Sequence, residues 1–354
     1  MSQDQTAPGA ESSGGGSSHM GLTLTRDRRA IVELVLDNLV WIMLAIVLTV
    51  FSIAIPNYFQ IGIFANIIEQ STFVGVMAIG LAIVIIAGNM DLSVESVAAL
   101  TAMVTGILFC ARGIGLGVTL SPEWLVIPVS LILSLVIGGI IGWLNGWLVV
   151  RLKMNAFIVT LASYIWVRGL VVAISGGRSA QDLAPSLRFM GIQTILYVPL
   201  IAWLAILCFA LFSFLMVKTP FGRHVTMIGG NEVATFRAGI KVDRLVLITF
   251  VMAGAIAGLA GWLLAIRTSG ATANLGVGML FNAFAAVVIG GVSLKGGIGR
   301  LPGVYAGVLL LSSIHTAINL MGLPAHYTQV ILGILVLAAV LIDTVKLQIR
   351  QKLA

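Results

Sequence analysis

Long apolar runs separated by short polar breaks recur along almost the whole chain, from Leu39 to Ile342. A bilayer core ~30 Å thick needs roughly 20 apolar residues per helix to cross it, and the runs come close to that length. They predict about ten spans. The first, Leu39–Ile55, is stopped by Pro56-Asn57-Tyr58. Then follow Thr72–Ala87, Val97–Ala111, Leu125–Val150, Phe157–Ile174 and Val198–Val217. The last four are Leu245–Ile266, Leu280–Leu294, Gly303–Leu320 and Val330–Ile342. Ile61–Gln70, of mixed polarity, reads as a separate segment lying at the interface, and Arg112 to Glu123 as a loop. The pattern predicts an all-α polytopic membrane protein with one transmembrane domain over 26–354. Residues 1–25, rich in Ser, Gly and Gln, cannot bury a core and read as a disordered tail.

The basic residues orient this frame. Arg26, Arg28 and Arg29, Arg151 and Lys153, the cluster from Lys218 to Arg244, Lys295 and Arg300, and Lys346, Arg350 and Lys352 all fall on one side of a ten-span chain. The other side has only Arg112, Arg178, Arg188 and Arg267. The positive-inside bias then puts both termini in the cytoplasm. Composition agrees: 59% of the 354 residues are hydrophobic and 9% charged, where a soluble domain carries about 25% charged residues. The net charge of +7 is explained by orientation in the bilayer and gives no reason to expect nucleic acid. Cys110 and Cys208 lie in apolar runs without a CxxC and read as buried thiols.

Two breaks stand out within the apolar pattern. Ile83–Gly88 precedes Asn89-Met90-Asp91-Leu92-Ser93, and Ala286–Gly291 precedes Val292-Ser293-Leu294-Lys295-Gly296-Gly297. Interrupted helices in corresponding places of two halves point to a transporter's path; the even number of spans between them predicts two related halves running parallel. Gly138, Gly142 and Gly146, Gly254 and Gly258, and Gly303 and Gly307 recur at helical spacing, which suits close packing of helices within one subunit.

Catalytic chemistry is missing from the chain. There is no phosphate-binding G-x-x-x-x-G-K-[ST], no H-E-x-x-H and no G-x-S-x-G, and His19, His224, His315 and His326 do not cluster. If ATP powers transport, another chain hydrolyses it. Asp91 and Glu95 are the acids closest to span interiors, where a charge costs at least ~2.5–3.5 kcal/mol and marks a functional or wet site. Asp91 equally suits an N-cap of the following helix. Glu95 sits one turn on, so either one of the two acids is capping or a cation such as Arg168 or Lys295 is near. Arg168 itself reads as snorkelling to the outer headgroups. Asn89, Ser93, Thr160 and Asn282 complete the candidate path, with Asn155 and Ser163 as further polar positions whose default reading is helix–helix hydrogen bonding. A stand-alone carrier would use Asp91 and Glu95 as a proton or sodium site.

The segment 219–244 is longer and more polar than its neighbours. Asn231 reads as an N-cap, Glu232 to Arg237 as a short helix and Gly239 as its end, giving a docking knob on the cytoplasmic face.

In five blocks the chain resembles the permease subunits of ribose-type ATP-binding-cassette sugar importers: Gly88–Ser96, Phe157–Arg178, Thr219–Arg223, the Gly229-Gly230-Asn231-Glu232-Val233-Ala234 run, and Ala285–Gly297. It departs at Glu95, where that family usually has Gly, and at Asn89, usually Gly or a small residue. The resemblance implies a bacterial inner-membrane permease that passes a monosaccharide or polyol. It implies two permease subunits, alike or different, surrounded by membrane lipid, a periplasmic binding protein that delivers the sugar, and a cytoplasmic ATPase that holds the ATP and Mg. It also makes Gly229, Gly230, Asn231, Glu232, Ala234, Arg237 and Gly239 the coupling loop. A branched-chain amino-acid permease is the near alternative within that organisation.

Overall fold

The computed structural model describes residues 26–322 and isolated helical positions between 330 and 341. The tail over 1–25 and about half of the tenth span lie outside the described residues. The chain runs α1 (Arg26–Ala54), α2 (Ile61–Ile86), α3 (Val94–Phe109), β1 (Cys110–Gly113), α4 (Val126–Arg151), α5 (Ala156–Ser175), β2 (Ala180–Leu183), α6 (Pro185–Ile192), β3 (Thr194–Ile195) and β4 (Val198–Pro199). It continues with α7 (Leu200–Lys218), α8 (Pro220–Gly230), α9 (Glu232–Arg237), α10 (Val242–Thr268), β5 (Gly270–Ala271), α11 (Met279–Ile289) and α12 (Leu301–Leu320). Among the described residues, six helices are long and apolar enough to cross a bilayer: α2, α4 with the 3₁₀ turn before it, α5, α7, α10 and α12. Asn38–Ala54, α3 and α11 are shorter apolar helices.

Two expected boundaries are corrected. Ile61–Gln70 and Thr72–Ala87 are one continuous helix, α2. Nothing between them breaks a helix, and the polar residues that suggested an interface are satisfied on it: Gln70 Nε2 donates to Asn66 Oδ1 at 2.9 Å, and Glu69 pairs with Arg267. The span expected over Leu280–Leu294 stops at Ile289. The stop is a Schellman cap. Gly291 takes φ 86°, its N–H reaches Val288 O, and the Val292 N–H reaches Val287 O. At 1.5 Å per residue α11 is only ~16 Å long, about half a bilayer core.

α10 is the axis of the bundle, and glycine lets its neighbours approach. A Cβ on Gly138 would run into Gly254 O, one on Gly258 into Ser134 O, and one on Gly142 into Phe250 O, so α4 and α10 touch backbone to backbone. Trp262 Nε1 adds a bond to Ser130 Oγ across the same seam at 2.8 Å. Gly303 and Gly307 of α12 likewise seat the end of α11, against Gly290 O and Ala286 O.

The two ends of the bundle differ. At one end β1, β2 and β5 form a small antiparallel sheet, with Cys110 opposite Leu183 and Ala180 opposite Ala271. This sheet ties together three inter-helix connections, and Asp182 on it takes both Arg112 and Arg188. The polar connections there gave no strand signal, because two- and four-residue strands are too short to show a period. The other end carries α8, α9 and the Lys153–Asp243 pair.

Candidate functional site

The site is built where two helices stop. α2 ends as α11 does: Gly88 takes φ 81°, its N–H bonds Ile85 O, and the Asn89 N–H bonds Val84 O. The two breaks therefore share one backbone termination, and they meet in space. The Gly297 N–H donates to Ile86 O at 2.9 Å. A Cβ on Gly296 would come within 2.8 Å of Gly88 Cα and 2.9 Å of Gly229 O. A Cβ on Gly229 would collide with both Ile86 O and Gly297 N. Four glycines thus pack the end of α2, the segment after α11 and the end of α8 into one joint. No side chain separates these backbones.

α9 follows directly. Asn231 accepts from the Ala234 N–H at 2.9 Å as the N-cap of Glu232–Arg237, and Gly239 at φ 83° closes the turn. α8, begun by Pro220 at its first position, was not anticipated. Val233 and Phe236 are large apolar side chains left exposed on α9, at 61% and 70%.

From the joint the chain leaves the helix over Gly88–Ser93 and starts α3 beside α4 and α5. Asn89 is half-buried at the joint, its amide reaching Ala87 O at 3.4 Å. Asp91 is fully buried. Its Oδ1 accepts from the Ser93 N–H at 2.9 Å and the Ser93 hydroxyl at 2.6 Å, while Oδ2 meets no donor among the described residues. Asp91 therefore braces its own turn, and α3 starts with no side-chain cap. Ser93 Oγ accepts from Asn145 Nδ2 at 2.9 Å, Asn145 Oδ1 from Ser163 Oγ at 2.5 Å, and Ser163 Oγ from Trp166 Nε1 at 3.3 Å. Every donor in this chain points toward Asp91, so each bond polarises the next. Thr160 joins from α5, its hydroxyl shared between Met90 O at 3.3 Å and Ala156 O at 2.8 Å.

One turn further along α3, Glu95 is buried with both oxygens held. Oε1 takes Arg168 Nη2 at 2.8 Å and the Tyr164 hydroxyl at 3.4 Å; Oε2 takes the Leu280 N–H at 2.9 Å. Arg168 also donates to Ala273 O and Leu275 O, at 3.2 and 3.1 Å. Arg168 does not snorkel. The carboxylate one helix away is a stronger partner than a distant headgroup, and burial makes an unpaired charge costly. Glu95 also caps α11 in trans, since Gly278 at the N-cap position has no side chain to do so.

Asp91, Ser93 and Thr160 thus come together, Glu95 lies just above them, and Asn282 stands apart. Asn282 lines a separate cavity of about 420 Å³ between α2, α10, α11 and α12, beside Gln70, Phe73 and His315. Asn155 is the N-cap of α5. Asn145 escaped the sequence reading; the available signal was one amide deep in the 26-residue apolar run of α4. Among the described residues no group of three metal-ligating side chains occurs.

The family described as branched-chain amino acid transport system / permease component matches residues 63–340. The chain is 37% identical over 307 residues to the ribose import permease protein RbsC of Bacillus subtilis, covering 86% of this chain and 91% of that one. To RbsC of Haemophilus influenzae it is 32% identical with the same coverage. To the L-arabinose transport system permease protein AraH of Escherichia coli it is 33% identical over 306 residues, 86% and 89% of the two chains. No solved structure matches.

Proposed function

Because this chain belongs to the transport-system permease family, with sugar import permeases among its relatives, we propose that it is the membrane subunit of an ATP-driven importer for a monosaccharide or related polyol. A periplasmic binding protein delivers the sugar. A separate ATPase subunit holds ATP and Mg beneath the α8–α9 end, and a second permease subunit completes the path. On this reading the chain has ten spans in two parallel halves, both termini are cytoplasmic, and 26–354 is one permease domain.

The observation that carries the reading is the glycine joint. A force applied to α9 passes through α8 at Gly229 to the ends of both broken segments without a compliant side chain between them. ATP-driven closure of the partner displaces Gly229, Gly230, Asn231, Glu232, Ala234, Arg237 and Gly239 as a unit. The breaks at Asn89–Ser93 and after α11 then move with them. Coupling of this kind needs the partner to bind the two states with different affinity. Glu95, which an ion-coupled carrier would need free for its ion, is instead engaged with Arg168 and Leu280. The relatives named for ribose and arabinose favour a sugar over a branched-chain amino acid.

Reconstitution in liposomes is the test. Ribose or arabinose uptake is expected only with binding protein, ATPase and ATP together, and should be lost on deleting 229–239 while the protein stays inserted. Uphill uptake by the purified chain alone under a proton or sodium gradient would refute the proposal.

A further inference from the structure

A second cavity, of about 550 Å³, lies at the α8–α9 end between the inner ends of α4 and α10 and the side of α9. Arg151, Lys241 and Arg244 line it, together with Trp147, Phe236 and Asp243. Asp243 is already in contact with Lys153 Nζ at 3.1 Å, so its charge is answered from outside the cavity. Among the described residues none of Arg151, Lys241 and Arg244 makes an ion pair. α10 starts at Val242, its N-cap residue Lys241 makes no side-chain cap, and its first-turn N–H groups add to the positive field. Trp147 and Phe236 are 38% and 70% exposed beside these charges, and Trp147 stacks on Trp143 with ring centroids 6.5 Å apart.

We propose that this cavity binds the phosphate headgroup of an anionic phospholipid of the inner leaflet. Three cations without a carboxylate of their own call for an anion. The aromatic wall calls for an amphiphile, since a free anion would gain nothing from it. Basic pockets between helices on the cytoplasmic side are where such headgroups bind. Phe236 sits on α9, so the bound lipid would steady the coupling helix against α4 and α10. The proposal rests on the orientation given above, which impermeant labelling decides independently.

Native mass spectrometry of the full chain, purified with either phosphatidylglycerol or phosphatidylcholine, tests it. One phosphatidylglycerol per chain should persist where phosphatidylcholine does not. The R151Q/K241Q/R244Q variant should hold it about a hundredfold more weakly, and the R151K/R244K variant, which keeps the charge, should retain it. If the triple variant fails to fold, Lys241→Gln alone, at an exposed position, should show a smaller loss in the same direction. Equal retention of the two lipids, or undiminished retention by the variants, would overturn the site. Displacement by inorganic phosphate alone would make it a plain anion site. Loss of the ATPase subunit from the triple variant in phosphatidylglycerol-free micelles would assign the surface to that partner instead.

Discussion

Glu95 and Arg168 are each costly at membrane depth and tolerable only together. Removing one leaves the other's charge buried and unanswered, whereas removing both leaves no charge, only Ala273 O, Leu275 O and the Leu280 N–H without these partners. Glu95→Ala is therefore expected to destabilise the protein by about 3–5 kcal/mol, and the double variant Glu95→Ala/Arg168→Met by clearly less. Thermal unfolding in detergent measures both; a double variant as unstable as Glu95→Ala would mean the pair is not coupled. Glu95→Gln separates the carboxylate's two tasks, because an amide oxygen can still accept from the Leu280 N–H but no longer neutralises Arg168. It should fall between wild type and Glu95→Ala. The sequence showed that Glu95 needed a cation or a cap. It could not show that the same carboxylate meets both needs, because Arg168 and Leu280 lie 73 and 185 residues away.

Helices α2 and α11 end in the same way, and the shared ending is useful only because α8 abuts both. Gly229 and Gly230 separate this role from ordinary helix ending, for they are neighbours in sequence with opposite surroundings. A methyl group on Gly229 meets Ile86 O and Gly297 N; one on Gly230 meets nothing within 4 Å. Gly229→Ala is expected to lower ATP-driven uptake at least about tenfold and stability by ~1–3 kcal/mol. Gly230→Ala should stay within ~0.5 kcal/mol and keep uptake. Equal uptake by the two variants would remove the joint from the coupling route. The α4–α10 seam makes a purely structural comparison: Gly254→Ala, directed at Gly138 O, should cost ~1–3 kcal/mol of stability. The fraction of that protein which folds should take up sugar normally.

The bundle has a sheet end and a coupling end, and the proposed orientation assigns them to opposite sides of the membrane. Gln181 is exposed on β2 and Val233 on α9, while the native Cys110 is buried and Cys208 half-buried, which keeps the labelling background low. In right-side-out vesicles Gln181→Cys should react with an impermeant maleimide and Val233→Cys should not; inverted vesicles should reverse the result. The same reactivity at both positions, or the opposite sidedness, would overturn the orientation and with it the cytoplasmic placement of the lipid cavity.

Apolar length and the placement of Lys and Arg fixed what could be read locally. These were the membrane class, most of the helices, the α9 cap at Asn231, the stops at Gly88 and Gly239, and the family-like blocks. Each depends on residues within a turn or two of one another, where propensity, capping and hydropathy act. The tertiary structure alone decided that Ile61–Gln70 continues into α2, where Glu69 is met by Arg267 of α10. It alone brought Arg168 to Glu95, Asn145 to Ser93, and Gly88, Gly229, Gly296 and Gly297 into one joint. These are pairings of groups far apart in the chain, brought together by packing and, for the buried Glu95 and Asn145, by the need of a polar group without water to find a partner. No local pattern encodes which partner each one finds.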